Sequence, residues 1–499
     1  MSLAIIHSRA SVGIAAPPVT IEVHLSNGLP GLSIVGLPEM AVKESRHRVR
    51  SAIVNSELKF PVRRITVNLA PADLPKEGGR FDLPIALGIL AASEQIPHAA
   101  LDHYEFAGEL ALSGELRPIR GVLPVAIATR NAKRQLVIAA ANTCEATLID
   151  STIFSANHLL EVCAHLRGVK TLTPQPSRSE IISPIHYLDL TEVKGQVYGK
   201  RALEIAAAGG HSLLFKGPPG AGKTLLAARL PGILPPMSID EALEVAAIYS
   251  LSHQGFDHQH WRLRPFRAPH HTASSVALVG GSNPPQPGEI SLAHHGVLFL
   301  DELPEFNRPV IESLREPLET GHVTISRAAY QVQFPSQFQF IAAMNPCPCG
   351  YYGDNTHLCR CTEEQICRYQ SRLSGPLLDR IDMHVNILPI PTYLLLNDHP
   401  DASVECSRVV RERVMHARAL QLQRQEKPNA LLLGNAIAAH CPIAPKEQRY
   451  FEKAVTQLGL SARAYHRVLK LARTIADLDQ QPNILQRHLE EALVYRRFT

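Results

Sequence analysis

Apolar positions along this chain recur with two different periods, and the changes of period divide it. Over roughly the first 165 residues, short β-branched runs mix with helical patterns. Ile65-Thr66-Val67-Asn68-Leu69 alternates as a half-buried strand does, whereas residues 82–92 form an apolar run that predicts a buried helix. Residues 172–184 carry three prolines among Ser and Thr, the composition of a linker. From Leu190 onward strands and helices alternate. Residues 211–216 predict a strand before a glycine-rich turn, residues 297–300 an all-apolar strand ending in acids, and residues 338–343 another buried strand. Such alternation predicts a parallel α/β sheet. After Pro391 the strand signals stop, and residues 404–425, 445–458, 461–477 and 484–497 have helical patterns. The expected division is a domain over 1–168, a linker over 169–188, an α/β domain over 189–393 and a helical domain over 394–499. There is no internal repeat.

Composition adds limits to this picture. A chain of 499 residues exceeds one ordinary core, and 45% apolar residues suffice for several. With 50 basic and 46 acidic residues the net charge is +4, so charge alone does not announce a nucleic-acid binder. A local basic surface inside an oligomer stays open. The longest apolar run, near residues 83–92, is too short to span a membrane. The first residues lack the basic start and apolar stretch of a secretion signal. A cytoplasmic location follows as an expectation, and with it reduced cysteines.

One loop carries specific chemistry. Gly217-Pro218-Pro219-Gly220-Ala221-Gly222-Lys223-Thr224 matches the phosphate-binding loop in full. Its glycines let backbone N–H groups turn toward phosphate, Lys223 reaches the β/γ oxygens, and the Thr224 hydroxyl ligates Mg²⁺. Some eighty residues on, the strand at 297–300 ends in Asp301 and Glu302, which suit the Mg²⁺ shell and the polarising of the attacking water. ATP and Mg²⁺ are thus the expected cofactors. Asn345 is either a turn residue before Pro346 or an amide emerging beside the γ-phosphate. Arg380 is either a surface ion-pair partner of Asp379 or Asp382, or an arginine finger for the ATP of a neighbouring subunit.

Four of the nine cysteines form two Cys-x-Cys pairs, Cys347/Cys349 and Cys359/Cys361, with nine residues between the pairs. Four thiolates so spaced can enclose a tetrahedral Zn²⁺; the alternative is a set of reduced structural cysteines. Cys367 is a fifth candidate. Cys144, Cys163, Cys406 and Cys441 are scattered and read as core residues. The doublets His270/His271 and His294/His295 are expected to point apart and are not assigned to metal.

The segment from Pro287 to Phe306, Ala343-Met-Asn-Pro-Cys-Pro-Cys-Gly350 and Arg267-Ala-Pro-His-His271 resemble the magnesium-chelatase-like AAA+ family. Gly36-Leu-Pro38, Asn68-Leu-Ala-Pro-Ala-Asp73 and the segment Lys76 to Ala86 extend the resemblance over essentially the whole chain, to the ComM/YifB competence family. Magnesium-chelatase ATPase subunits lack that N-terminal domain. The resemblance implies an N-terminal Lon-protease-like α+β domain, a central AAA+ P-loop α/β domain and a C-terminal helical lid. Within the central domain it implies a helix-2 insert near 279–290 and a pre-sensor hairpin near 322–335. It places a DNA contact at Arg327, which by itself reads as an exposed strand charge. It places a second arginine sensor at Arg463, with Arg467 one turn on as competitor.

Where Lon proteases carry a serine nucleophile, this chain matches with Asp82, and a carboxylate cannot perform serine acyl transfer. The N-terminal domain is therefore expected to be non-proteolytic. Lys76 and Arg80 either bind phosphate or belong to a solvated loop, the blander account. The implied function is an ATP-driven homo-hexameric DNA translocase or helicase promoting branch migration in homologous recombination during natural transformation. Its implied partners are single-stranded, double-stranded or branched DNA and recombination proteins, with no membrane. The alternative is a metal-insertion chaperone of the magnesium-chelatase type.

Overall fold

The computed structural model describes residues 3–177, 187–282, 285–326, 331–354, 357–390 and 405–496. Arg327 and Val404 lie outside these residues, as does the stretch 178–186 of the expected linker. Among the described residues no helix is long and apolar enough to cross a membrane.

The N-terminal sheet pairs β1 (Leu3–Arg9), β2 (Pro18–Ser26), β3 (Gly31–Val35) and β4 (Arg64–Ala70) in the order β1-β2-β4-β3. Alternation in β1, β2 and β4 sends Ile6, Ile21, Val23, Val67 and Leu69 to one buried face. The helices α1 (Met40–Asn55) and α2 (Asp82–Ala92) belong to the same core, and α2 is buried along its whole length. Gly88 lets α2 approach the sheet, since a Cβ there would lie 2.5 Å from Val23 Cγ2. A second, parallel sheet follows, β5 (Tyr104–Ala107), β6 (Gln135–Ala139) and β7 (Ile153–Ala156), with α3 (Val122–Asn131). Beyond β7, the first residues of the expected linker are tied down. The Gln175 N–H donates to the Ile153 carbonyl at 2.8 Å.

Burial overturns the solvated-loop reading of Lys76 and Arg80. Lys76 is fully buried and donates to the Pro71 carbonyl. Arg80 is buried and donates from Nη2 to the Arg120 carbonyl at 3.1 Å. Desolvation pushes its pKa down to about 10. The loop faces a cavity of about 510 Å³ that it lines with Gly13, Arg120, Leu251, Gln286 and Phe334, residues from five separate stretches of chain. Asp82 is also buried. Its carboxylate accepts from Ser45 Oγ, from Arg48 Nε at 2.6 Å and from the Leu110 N–H at 3.3 Å.

The central unit contains α4 (Val197–Gly209), β8 (Leu213–Lys216), α5 (Lys223–Ala227), α6 (Ile239–Leu251), β9 (Phe266–Arg267) and β10 (Val297–Leu300). After these come α7 (Arg315–Thr320), a hairpin of β11 (His322–Ser326) and β12 (Gln331–Pro335), and β13 (Gln339–Met344). The helices α8 (Glu363–Gln370) and α9 (Gly375–Arg380) precede β14 (Met383–Asn386). Five strands form one wholly parallel sheet in the order β9-β10-β13-β8-β14. Near 279–290 a short hairpin pairs Gly280–Gly281 with Gln286–Pro287. Val122, Val125 and Ala126 of α3 share a core with Ala242, Val245 and Ala246 of α6, which ties the N-terminal part to the central one.

The C-terminal helices are α10 (Ser407–Gln425), α11 (Pro445–Gln457), α12 (Ala462–Leu478) and α13 (Gln486–Val494). Val468, Leu471, Ala472 and Ile475 form the buried stripe of α12 at helical spacing. Of the four cysteines read as core, Cys163 and Cys441 are buried. Cys406 is half-buried as the N-cap residue of α10, and Cys144 is exposed on the short helix Thr143–Ala146.

A buried polar network docks the helices onto the sheet. His211 bonds Thr474 Oγ1 at 2.8 Å, Arg418 donates to the Ala207 and Ala208 carbonyls at 2.9 Å, and Asp382 is paired with Arg467 and His211. Burial would raise the Asp382 pKa, but Arg467 and His211 overcome it and hold the carboxyl well below its ordinary 3.8. Burial, aided by Arg496, pushes the His384 pKa from 6.5 down to about 3.

Both shifts have the same sign for stability. The unfolded chain takes up protons that the folded chain refuses, at His384 from about pH 6.5 downward and at Asp382 below 3.8. The thermal midpoint is therefore expected to fall progressively as pH drops from 6.5 toward 3. His384→Gln should flatten that slope; an unchanged slope in the variant contradicts the assignment.

Candidate nucleotide site

The sheet order explains why residues far apart in sequence meet. β10, β13 and β8 are parallel neighbours, so all three end on one edge, and the loops leaving that edge carry the polar residues. The phosphate-loop sequence connects Lys216 to α5. Gly220 and Gly222 have φ of 74° and 89°, a left-handed backbone that glycine adopts without strain. Gly217 is required by space, because a Cβ would come 2.3 Å from the Ile387 carbonyl oxygen.

Lys223 opens α5 and is buried. Its Nζ donates to the Gly217 carbonyl at 2.7 Å, the Pro218 carbonyl at 2.9 Å and Asn345 Oδ1 at 3.0 Å. Desolvation lowers its pKa from 10.5, opposed by Asp301 and Glu302. Asn345 follows β13 directly, and the Gly217 N–H donates to the Met344 carbonyl at 3.2 Å, so the loop and this strand end are fastened together. Thr224 Oγ1 donates to Asp301 Oδ2 at 2.6 Å. A hydroxyl beside a carboxylate is a hard oxygen pair of the kind Mg²⁺ takes. The loop backbone and the Lys223 ammonium are donors of the kind that polyphosphate takes, so these residues fit both groups.

Glu302 has φ of 51° and a half-exposed side chain. Its Oε2 lies 3.3 Å from His271 Nδ1, and the His271 ring lies 4.1 Å from that of His270 between centroids, tilted by 34°. His271 had no role in the sequence reading, since nothing in its spacing relates it to Glu302. The other histidine doublet also converges rather than pointing apart. His294 Nε2 and His295 Nε2 each lie 2.9 Å from Glu244 Oε2, a carboxyl that both rings hold well below its ordinary value. His294 Nδ1 accepts the Gln337 N–H, so its Nε2 carries the proton donated to Glu244.

The arginines form a separate cluster. Arg380 Nη2 pairs with Glu319 Oε1 at 2.7 Å, not with Asp379 or Asp382, because Glu319 on α7 faces the end of α9. Arg463 is half-exposed and shares the same carboxylate oxygen at 3.5 Å, with Asp379 at 3.8 Å. Its competitor Arg467 is largely buried and paired with Asp382.

Sγ atoms of Cys347, Cys349, Cys359 and Cys361 all lie within 4.8 Å of one another. Cys367 is exposed on α8 and is not part of the group.

A phosphate loop, two acids ending the next strand but one in the sheet and this strand order define a P-loop ATPase module of the AAA+ type. Family models bear this out by region. The magnesium chelatase subunit ChlI model matches residues 189–393, a second ChlI model residues 21–142, and the ChlI C-terminal model residues 404–496. Competence protein ComM of Haemophilus influenzae is 53% identical over 99% of this chain and 98% of its own length. The uncharacterized protein YifB of Salmonella typhimurium is 53% identical over 99% and 97%, and an uncharacterized protein of Mycobacterium bovis is 38% identical over 96% and 95%. The chain belongs to the ComM/YifB family of magnesium-chelatase-like AAA+ proteins.

A carboxylate engaged with an imidazole is less available to accept a proton from water. His271→Ala is therefore expected to raise basal ATP turnover several-fold while leaving ATP affinity within about twofold, far below a 1.4 kcal/mol change. Steady-state turnover together with equilibrium nucleotide binding checks this.

Proposed function

We propose that this chain is the subunit of a homo-hexameric, ATP-hydrolysing DNA translocase that drives branch migration of recombination intermediates during natural transformation. The convergence of Lys223, Thr224, Asp301 and Asn345 at one sheet edge carries the ATPase part of this reading. Similarity to a competence protein over nearly the whole chain, at 53% identity, supports the DNA part. In this reading Gly217 to Thr224 hold the phosphates, Thr224 and Asp301 hold Mg²⁺, and Glu302 polarises the attacking water. Asn345 senses the γ-phosphate. The cofactors are ATP, Mg²⁺ and, at the four cysteines, Zn²⁺. The site of action is the cytoplasm, with branched DNA and recombination proteins as partners.

Arg380 and Arg463 share Glu319, so they present one face, and both act on the ATP of the neighbouring subunit. Arg380→Ala and Lys223→Ala subunits should each be inactive, and mixing them should restore part of the activity, because some interfaces then pair an intact Lys223 with an intact Arg380. A mixture that co-assembles and stays inactive refutes action between subunits.

The DNA reading assigns the backbone contact to Arg327, between β11 and β12. This hairpin leads within four residues into β13, which ends beside Asn345, so a short path joins nucleotide state to the hairpin. Asp82, buried and held by Arg48 and Ser45, supports a non-proteolytic N-terminal platform of Lon-protease-like fold. The test is ATPase and strand-migration activity with and without Holliday-junction DNA. Wild-type protein should bind with little sequence preference and a steep salt dependence. Arg327→Ala should keep basal ATPase, reduce the salt slope by about one phosphate contact and lose strand migration. Absence of DNA binding by wild-type protein with any nucleotide removes the translocase reading.

A further inference from the structure

Asn345 is gripped from two directions. Its side-chain oxygen accepts from Lys223, while its backbone N–H meets the Tyr369 hydroxyl, and the following carbonyl, Pro346, accepts from Gln370 Nε2 at 3.0 Å. Tyr369 and Gln370 end α8. Thr362 caps the start of that helix in a reciprocal capping box with Gln365. The chain that leaves Asn345 therefore makes an excursion and returns to it through α8. Cys347 and Cys349 lie at the outgoing foot of the excursion, and Cys359 and Cys361 at its return, directly before Thr362.

Across the excursion, Sγ of Cys347 lies 3.4 Å from that of Cys349 and 3.7 Å from that of Cys359. Cys349 and Cys359 are 3.6 Å apart. A tetrahedral ion with metal–sulfur bonds of ~2.3 Å needs sulfur–sulfur edges of about 3.8 Å. A disulfide would need about 2.05 Å, and all four cysteines are free. Two backbone donors point at sulfur, the Cys349 N–H at Cys361 Sγ (3.4 Å) and the Tyr352 N–H at Cys347 Sγ (3.3 Å). The same excursion rests on the phosphate loop. Gly350 has φ of 88°, and a Cβ there would lie 2.5 Å from Pro219 Cδ.

We infer that one Zn²⁺ held by Cys347, Cys349, Cys359 and Cys361 closes this excursion and thereby sets the position of Asn345 against Lys223, so that discrimination of ATP from ADP depends on the metal. The inference rests on the reading of Lys223 and Asn345 as the γ-phosphate site. The cysteines are positioning residues. The ion crosslinks two chain ends that otherwise depend on hydrogen bonds, and the seat on Pro219 carries its position to the loop that cradles the phosphates.

The test uses full-length protein purified without an affinity metal. Wild-type protein is expected to hold about one Zn²⁺ per chain by elemental analysis, as one four-thiolate site requires. The double variant Cys359→Ser, Cys361→Ser should hold none. It should keep its ADP affinity and lose most of its preference for ATP over ADP, with kcat down by about 10- to 100-fold, the usual loss when support around a site is removed. Cys361→His, which still offers a metal-ligating nitrogen, should recover zinc and turnover.

Gly350→Ala guards against misfolding of the double variant. It keeps all four ligands but pushes the excursion off Pro219, so it should retain zinc and lose turnover. Wild-type protein without zinc overturns the metal. Zinc loss with unchanged ATP preference and kcat, or full turnover in Gly350→Ala, overturns the coupling. ATP binding retained by Lys223→Ala would instead overturn the γ-phosphate site on which the inference rests.

Discussion

A buried ammonium group needs acceptors, and much of the central unit is arranged to supply them to Lys223. Leaving such a charge uncompensated would cost several kcal/mol. Two acceptors are loop carbonyls, available only because glycines at 217, 220 and 222 permit the turn. The third is the Asn345 amide, available only because β13 lies beside β8 in parallel register. That register also brings Asp301, at the end of β10, onto the Thr224 hydroxyl. The site is thus a property of the sheet edge rather than of any one loop.

Around that edge polar contacts stand beside a continuous apolar core that runs from the central sheet into the C-terminal helices. Asp382 ties β14 to α12 through Arg467 and to the start of β8 through Ser212, whose N–H donates to it at 3.1 Å. Glu319 gathers Arg380 and Arg463 from α9 and α12. Contacts of this kind have directional geometry and depend on protonation. They add directional preference to the seating of the C-terminal helices on the sheet, which apolar packing alone specifies less sharply.

Most of the secondary structure was legible because the apolar periods are strong. The helix at 82–92, the strand at 297–300 and the C-terminal helices fall within a few residues of their predicted positions. The glycine pattern of 217–224 was legible because its local conformation and its chemistry are the same requirement. Other features were not legible. Lys76 and Arg80 belong to a polar, glycine-rich stretch that suggests solvent, yet both are buried, and the stretch faces a cavity lined by distant parts of the chain. The convergence of His294 and His295 on Glu244 depends on α6 crossing beside them, which no spacing in the doublet encodes.

By itself the sequence determined the phosphate loop, the acids that end the apolar strand, the paired cysteines and the order of strands and helices. Each of these depends on residues near one another in the chain and on local stereochemistry. Only the tertiary structure decided which distant groups face each other. It brought Asn345 to Lys223, His271 to Glu302, and Arg380 and Arg463 to a single carboxylate. It also closed the two cysteine pairs into one cluster seated on Pro219. The physical reason is that strand order and helix docking are set by burial summed over whole faces. The polar contacts made at the edges of those faces follow from that sum and leave no local trace in the sequence.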